Sequence, residues 1–324
     1  MVDLRFSSEE LDALAVLRAR VDAEPLLRNI PTAILARFLL ACGLRVPHAL
    51  ERLRKREEKR RSVWRWDEVS TEEADALLDS VGYWQLSGRT DEGYATTFLV
   101  QREAKPPDSF GGAAAGLMAA HRFFLSAVSD ADSCRDGLLL VLVLSGVPPS
   151  RLLAPPNKHM MAIGDGYTAV MPVRVRRILI VDAGAVLRVA VRAIAKAQLK
   201  PKLRERIEFL TLEQLGAIVP RRHWPVSLQS QQPEPTAATD AAATSLPPPP
   251  PPSPPPPPVA QTSAIIGARL AAFDGACEAL TLPPLPSASE RPDLWSSAVD
   301  IDEDSRLPTD SRTPADSRLS CSLS

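Results

Sequence analysis

Four short apolar runs, set apart by helix-length stretches, constrain this chain more than any other feature. They are residues 96–100, 137–144, 178–181 and 207–210. All four have strand length, and two of them, 137–144 and 178–181, are apolar on both sides and suit strands buried from two directions. Between them lie residues 113–128, with Leu117, His121, Phe124 and Val128 on one helical side, residues 157–170 after Pro155-Pro156, and residues 185–199. Alternating strand and helix predicts an α/β fold, with a mostly parallel sheet, flanking helices and right-handed crossovers.

The chain ahead of these runs reads as helical. Ser7 and Glu10 stand at capping-box spacing before Leu11, Leu14, Leu17 and Val21. Pro31-Thr32 opens a second helix through Ile34, Leu35, Phe38 and Leu39, and Gly43 ends it. Pro47 starts a third, which runs into a stretch between Glu51 and Arg65 with eight basic and three acidic residues. Pairs such as Glu51–Lys55 make that stretch a solvated helix face laced with ion pairs. The aromatic interleaving and motifs of a nucleic-acid binder are missing, so nucleic acid is not expected as a partner. Ser70 and Glu73 cap one more short helix through Leu77 and Leu78.

Charge is divided unevenly. Of 38 basic and 39 acidic residues, only five basic but twelve acidic fall from Val226 onward, which leaves residues 1–225 with 33 and 27, a net of +6. A mildly cationic body joined to an acidic tail favours an anionic partner for the body. Cys42, Cys134, Cys277 and Cys321 form no CxxC pair, and the first residues, MVDLRFSSEELDAL, do not read as a secretory signal. Reduced thiols and a cytoplasmic location are therefore expected. The most apolar run is far too short to span a bilayer, so membrane contact is expected to be peripheral.

The stretch from Met171 to Pro225 concentrates the functional signal. After the strand at Ile178–Val181 and the turn Asp182-Ala183-Gly184, Leu187, Val191, Ile194 and Leu199 recur at near-helical spacing. Arg188, Arg192, Lys196 and Lys200 stand four apart beside them, followed by Lys202, Arg204 and Arg206. An apolar helix edged with cations is the pattern of an element that meets a membrane surface.

These residues carry a resemblance. IPTAILARFLLACGLRVPHALERLRKREEKRRSVW is similar to the helical preface of CRAL-TRIO (Sec14-like) lipid-binding proteins, with Arg37-Phe38-Leu39, Ala49-Leu50, Leu53 and Trp64-Arg65 at comparable places. LLLVLVLSGV, MPVRVRRILIVDAGAVLRVAVRAIAKAQLKPKLRERIEFL and VPRRHWP resemble that family's later strand, core and closing element. The KLRERI segment is most similar to members of the α-tocopherol-transfer type. The resemblance implies residues 1–69 as a helical subdomain and 70–225 as a lipid-binding domain. It also implies an apolar pocket floored by Leu140, Leu142, Leu144, Ile178 and Ile180 and gated by the 185–199 helix through Leu187, Val191 and Ile194. A single hydrophobic lipid or lipophilic small molecule would sit there and exchange at membranes. Arg188, Arg192, Lys196, Lys202 and Arg206 would meet a membrane surface, phosphoinositide headgroups included. Val173 stands where phosphatidylinositol-binding members carry Glu, so selective loading with that lipid is not implied.

The sequence lacks G-x-S-x-G, Walker A, G-x-G-x-x-G, H-E-x-x-H and Cys/His metal spacings, so no enzyme, catalytic residue, cofactor or metal site is expected. His121 reads as a core residue and Asp182 as a turn or cap residue. Residues 226–324 read as a disordered, acidic, proline-rich tail. Thirteen prolines fall between Gln231 and Val259, forming a stiff rod suited to polyproline-binding proteins or to a spacer role. Within that tail, Ile266, Leu270, Phe273, Cys277 and Leu280 have the 4-3-4-3 spacing of one short amphipathic helix. The alternative to lipid transfer is an adaptor, with a degenerate lipid domain that docks on membranes and a tail that recruits partners.

Overall fold

The computed structural model describes residues 6–62, 64, 66–80, 84–100, 113–147, 171–199, 201–229 and 262–295. The helix expected at 157–170, the proline run and the last 29 residues lie outside these.

The chain opens with α1 (Ser8–Asp22), α2 (Thr32–Ala41) and α3 (Val46–Ser62). The expected capping box starts α1: the Glu10 amide donates to Ser7 Oγ at 3.2 Å, and the Ser7 amide donates to Glu10 Oε2 at 2.8 Å. Gly43 and Leu44, both at positive φ, end α2. A 3₁₀ turn, Trp66–Glu68, leads to α4 (Thr71–Ser80), which Ser70 and Glu73 cap reciprocally.

Strands β1 (Trp84–Arg89) and β2 (Ala95–Val100) follow, then α5 (Ala113–Ala127), α6 (Ala131–Asp136), β3 (Leu138–Val143) and β4 (Val175–Val181). Next come α7 (Ala185–Gln198), α8 (Pro201–Arg204), β5 (Ile207–Leu210), α9 (Leu212–Gly216) and α10 (Val226–Gln229). The five strands lie in the order β1-β2-β3-β4-β5; β1 is antiparallel to β2 and every other pair is parallel. The mostly parallel α/β sheet expected from the apolar runs is present. β1 was not expected, because WQLSGR has neither a β-branched residue nor an apolar run. It pairs because the Thr90–Gly93 turn folds it back, with Gly93 at φ 91 and the Thr90 amide 3.0 Å from the Tyr94 carbonyl.

Each sheet face has its own cover. Leu99, Leu138, Leu140 and Leu142 pack toward α4 and α5, and Ile178 and Ile180 pack under α7. On the reverse face, Phe98, Leu139, Val141, Leu179 and Val181 meet Leu215, Val219, Trp224 and Leu228. The Trp224 indole N–H donates to the Val219 carbonyl at 2.9 Å, which satisfies the one polar group the ring buries.

Disorder from Val226 onward is not what residues 262–295 show. They form α11 (Thr262–Glu278) and α12 (Pro292–Trp295), and α11 packs on α2, α4 and α5. Ile266 and Phe273 are 0 % exposed and Cys277 is 1 %. The reason is the 4-3-4-3 spacing itself, which gives a helix one continuous apolar face that water does not solvate well. Phe273 lies over the Arg37 guanidinium, 4.0 Å from its carbon to the ring centroid, and the neighbouring Asp274 accepts from Arg37 Nη1 at 2.9 Å. Ser263 hydrogen-bonds the Asp79 carboxylate through its amide at 2.8 Å and its hydroxyl at 2.5 Å. The N-terminal helices and the last described segment therefore share one apolar core, which Phe273, Cys277 and Leu294 help to fill.

Candidate functional site

The predicted floor and gate residues come together. β3 and β4 pair in register, Leu140 with Ile178 and Leu142 with Ile180, so these side chains share one face. Leu144, Ile178, Ile180 and Leu187 form a buried cluster, with Leu140, Leu142 and Val191 partly buried against it. α7 begins at Gly184, and Arg188 Nε donates to the Ala183 carbonyl at 2.9 Å, which ties the helix to its entry turn. Ile194 falls on the inward side by helical phase, seven residues after Leu187, yet is 38 % exposed. The floor is therefore tightly covered at the start of α7 and loosely at its end.

The outward side of α7 is unusual for a helix packed on a sheet. Val186 and Val189 are 58 % and 68 % exposed, and Arg192 and Lys196 are exposed beside them. Arg192 and Arg188 lie over the Phe209 ring at 5.1 and 5.8 Å. Between α7 and β5 is an open recess of about 280 Å³ lined by Arg192, Ala195, Lys196, Arg204, Ile207 and Phe209.

The predicted cations separate into two groups. Arg192 and Lys196 line the recess, and Lys202 is exposed nearby on α8. Arg206 turns inward, where its Nη1 donates to the Val175 carbonyl at 2.5 Å and fastens the start of β4. Arg204 takes the place expected of Arg206: it lines the recess, and its Nε meets no acceptor among the described residues. The i, i+2 alternation of KLRERI puts Arg204 and Arg206 in equivalent positions on paper, so spacing alone did not distinguish them.

Asp182 ends β4 at φ 52 and accepts from the Leu212 amide at 3.1 Å, as a cap residue would. His121 is 6 % exposed, and burial together with Arg56, Arg37 and Arg122 holds its imidazole well below the usual range, so it is neutral. Burial raises the Cys134 and Cys277 thiols to about 12, too high for reactive thiolates at neutral pH. The basic stretch of α3 is paired: Lys55 with Glu51 at 2.5 Å, Arg60 with Glu57 at 2.7 Å, and Arg54 with Glu24. It is not wholly solvated, since Arg56 and Glu57 are buried against Trp66 and its neighbours. Among the described residues, no group of three or more His, Cys, Asp or Glu is placed to hold a metal, and no helix is long and apolar enough to cross a membrane.

No protein-family model matches the chain, and no curated protein is significantly similar to it. Among solved structures it resembles a crystal structure of Sfh5, with a TM-score of 0.45 and 13 % identity over 66 % of this chain and 85 % of that one. A likeness at that level transfers no residue roles.

Proposed function

We propose that this protein is a non-enzymatic lipid carrier of the CRAL-TRIO kind. It would hold one hydrophobic ligand between the sheet and α7 and present it at membrane surfaces in the cytoplasm. One observation carries the reading: Leu140, Leu142, Leu144, Ile178 and Ile180 lie on a single sheet face beneath a helix that is apolar inside and also exposes Val186 and Val189 outside. A helix with apolar surface on both sides can exchange one apolar neighbour for another. Lifted from the sheet, it can trade Leu187 contacts for bilayer contacts while a ligand takes its place over the floor. Each apolar surface so covered is worth about 25 cal/mol per Å². Arg192, Lys196 and Arg204 around the recess suit anionic headgroups, phosphoinositides among them, at about 1 kcal/mol per cation near an anionic leaflet.

The test is to purify the full chain, extract it with organic solvent and identify bound lipid by mass spectrometry. A stoichiometric hydrophobic ligand is expected, and Leu142→Trp, which fills the half-buried floor, should abolish loading while leaving the fold intact. A folded protein that neither carries nor takes up lipid from vesicles would overturn the proposal.

The adaptor reading has one observation in its favour. α10 and α11 both belong to the folded body, so residues 230–261, with the proline run, join two anchored ends. Deleting 233–258 spares α11 and separates the two readings: lipid loading should survive it, and recruitment of polyproline-binding proteins should not.

A further inference from the structure

Beneath α11, where α2, α3 and α5 meet, the core holds more hydrogen-bond donors than acceptors. Arg37 on α2 is 0 % exposed. Its Nη1 is taken by Asp274, but Nε and Nη2, the two donors that face a carboxylate or phosphate side by side, meet no acceptor among the described residues. Arg56 on α3 is 8 % exposed and spends Nη1 on Glu57, and its Nε is likewise unmatched. The indole N–H of Trp66, 7 % exposed, has no acceptor among the described residues either. The Arg56 guanidinium is 5.7 Å from the Trp66 ring, that ring is 4.5 Å from the His121 ring, and the charge of Arg37 is felt at both Arg56 and His121.

The charge balance points the same way. Among the described residues, two guanidinium groups are buried here against one buried carboxylate, Glu57, which Arg60 shares at 2.7 Å while also pairing with Asp67. Asp274 is 46 % exposed on the outer side of Arg37, so much of its charge faces water. Four unmatched N–H groups in a protein interior are each costly, and one small anion would relieve them together. His121 supports the sign of the local field, since Arg56 and Arg37 are among the charges that keep it neutral.

We infer that the Arg37 Nε–Nη2 fork, Arg56 Nε and Trp66 Nε1 form a binding site for a tetrahedral oxyanion, a phosphate or phosphate ester. Four donors would use every lone pair of one carboxylate, whereas a phosphate group accepts them with oxygens to spare. The fork is the edge of the Arg37 guanidinium that Asp274, bound to Nη1, leaves free. The site is separate from the cationic recess of α7 and does not depend on the lipid-carrier reading.

The test titrates the full chain with inorganic phosphate at constant ionic strength, chloride serving as the reference anion, and reads heat and ³¹P line width. The Arg192→Glu/Arg204→Glu background removes anion binding at the recess. Saturable binding of one phosphate is expected, weakened about tenfold or more by Trp66→Phe, which keeps the stacked ring and deletes the N–H. Arg37→Lys, which loses the fork, should weaken it further; Trp66→Phe decides the matter if that variant does not fold. Bound phosphate should also raise the midpoint of the His121 NMR titration. Glycerol 3-phosphate and phosphatidic acid vesicles, run in parallel, identify the source: preference for either assigns a lipid headgroup, and equal or tighter binding of inorganic phosphate assigns a free anion. Absence of binding in all three arms, or binding unchanged by Trp66→Phe, would overturn the inference.

Discussion

Phe273→Ala tests whether the segment after the proline run belongs to the core. Phe273 is 0 % exposed, sits in the cluster of α1–α3 and covers Arg37 at 4.0 Å. Removing a fully buried Phe side chain costs about 3–5 kcal/mol in transfer and cavity terms. Of that, about 1 kcal/mol belongs to the cation–π contact. Phe273→Leu keeps most of the apolar volume and loses the ring, so it should cost about 1–2.5 kcal/mol, the sum of a shape-changing apolar swap and the lost cation–π contact. For a folded unit of this size the Ala variant should melt roughly 6–20 °C lower. Urea unfolding followed by far-ultraviolet circular dichroism and by Trp fluorescence measures both the loss and its cooperativity. The two signals should shift together with an unchanged denaturant slope. If Phe273→Ala stays within about 0.5 kcal/mol of the parent, a change typical of surface sites, or only the helical signal moves, α11 is an appendage and the reasoning fails.

Gly137→Ala should destabilise by at least about 2 kcal/mol, because φ is 95 and a Cβ would lie 2.3 Å from the Arg174 carbonyl oxygen; thermal melting checks it. At Glu10, burial alone would raise the carboxyl, but hydrogen bonds from Arg135 and the Ser7 amide outweigh it and hold the pKa below the usual range. Its contribution is thus present above the unfolded value of about 4.3 and lost as pH falls through the lower folded value. The stability gap between the parent and Glu10→Gln should be full at pH 6 and close as urea melts are repeated toward pH 2. Val189→Asp, at a 68 % exposed site, should leave melting unchanged within about 0.5 kcal/mol and reduce sedimentation with anionic vesicles. Unchanged sedimentation would remove the outer face of α7 from the membrane contact.

The elements that sequence made legible are those whose signal is local. Apolar runs mark β2 to β4 because well-buried strands need no partner information to be recognised, and β5, partly buried at the sheet edge, was marked by its short run of Ile207, Phe209 and Leu210. Capping pairs at Ser7–Glu10 and Ser70–Glu73 mark helix starts because both partners lie within one turn. The floor of the candidate site was implied by the family resemblance, and the β3–β4 register sets Leu140, Leu142, Ile178 and Ile180 on one face because alternate residues of a strand share it. What depends on distant partners was not legible. The spacing of α11 was visible, but its dock is spread over α2, α4 and α5, up to 237 residues away for Arg37 and Asp274. Arg56 and Glu57 look like surface charges in a basic run, and only the fold turns them inward under Trp66. Arg204 and Arg206 exchange roles because the turn at α8 decides which of them faces β4.

That dock sets an order of assembly. Synthesis runs from the N-terminus, so α1 to α3 leave the ribosome long before Phe273, Cys277 and Leu294, which complete their apolar cluster. The sheet and the cover of its reverse face are finished once Leu228 has emerged, yet Arg37 still lacks both its ring and its carboxylate. The nascent helical layer therefore stays open while the whole proline run is translated, and it closes only when α11 arrives. A growing chain holds an apolar groove with a bare guanidinium throughout that interval, which makes the N-terminal helices the place where a chaperone has the longest time to bind.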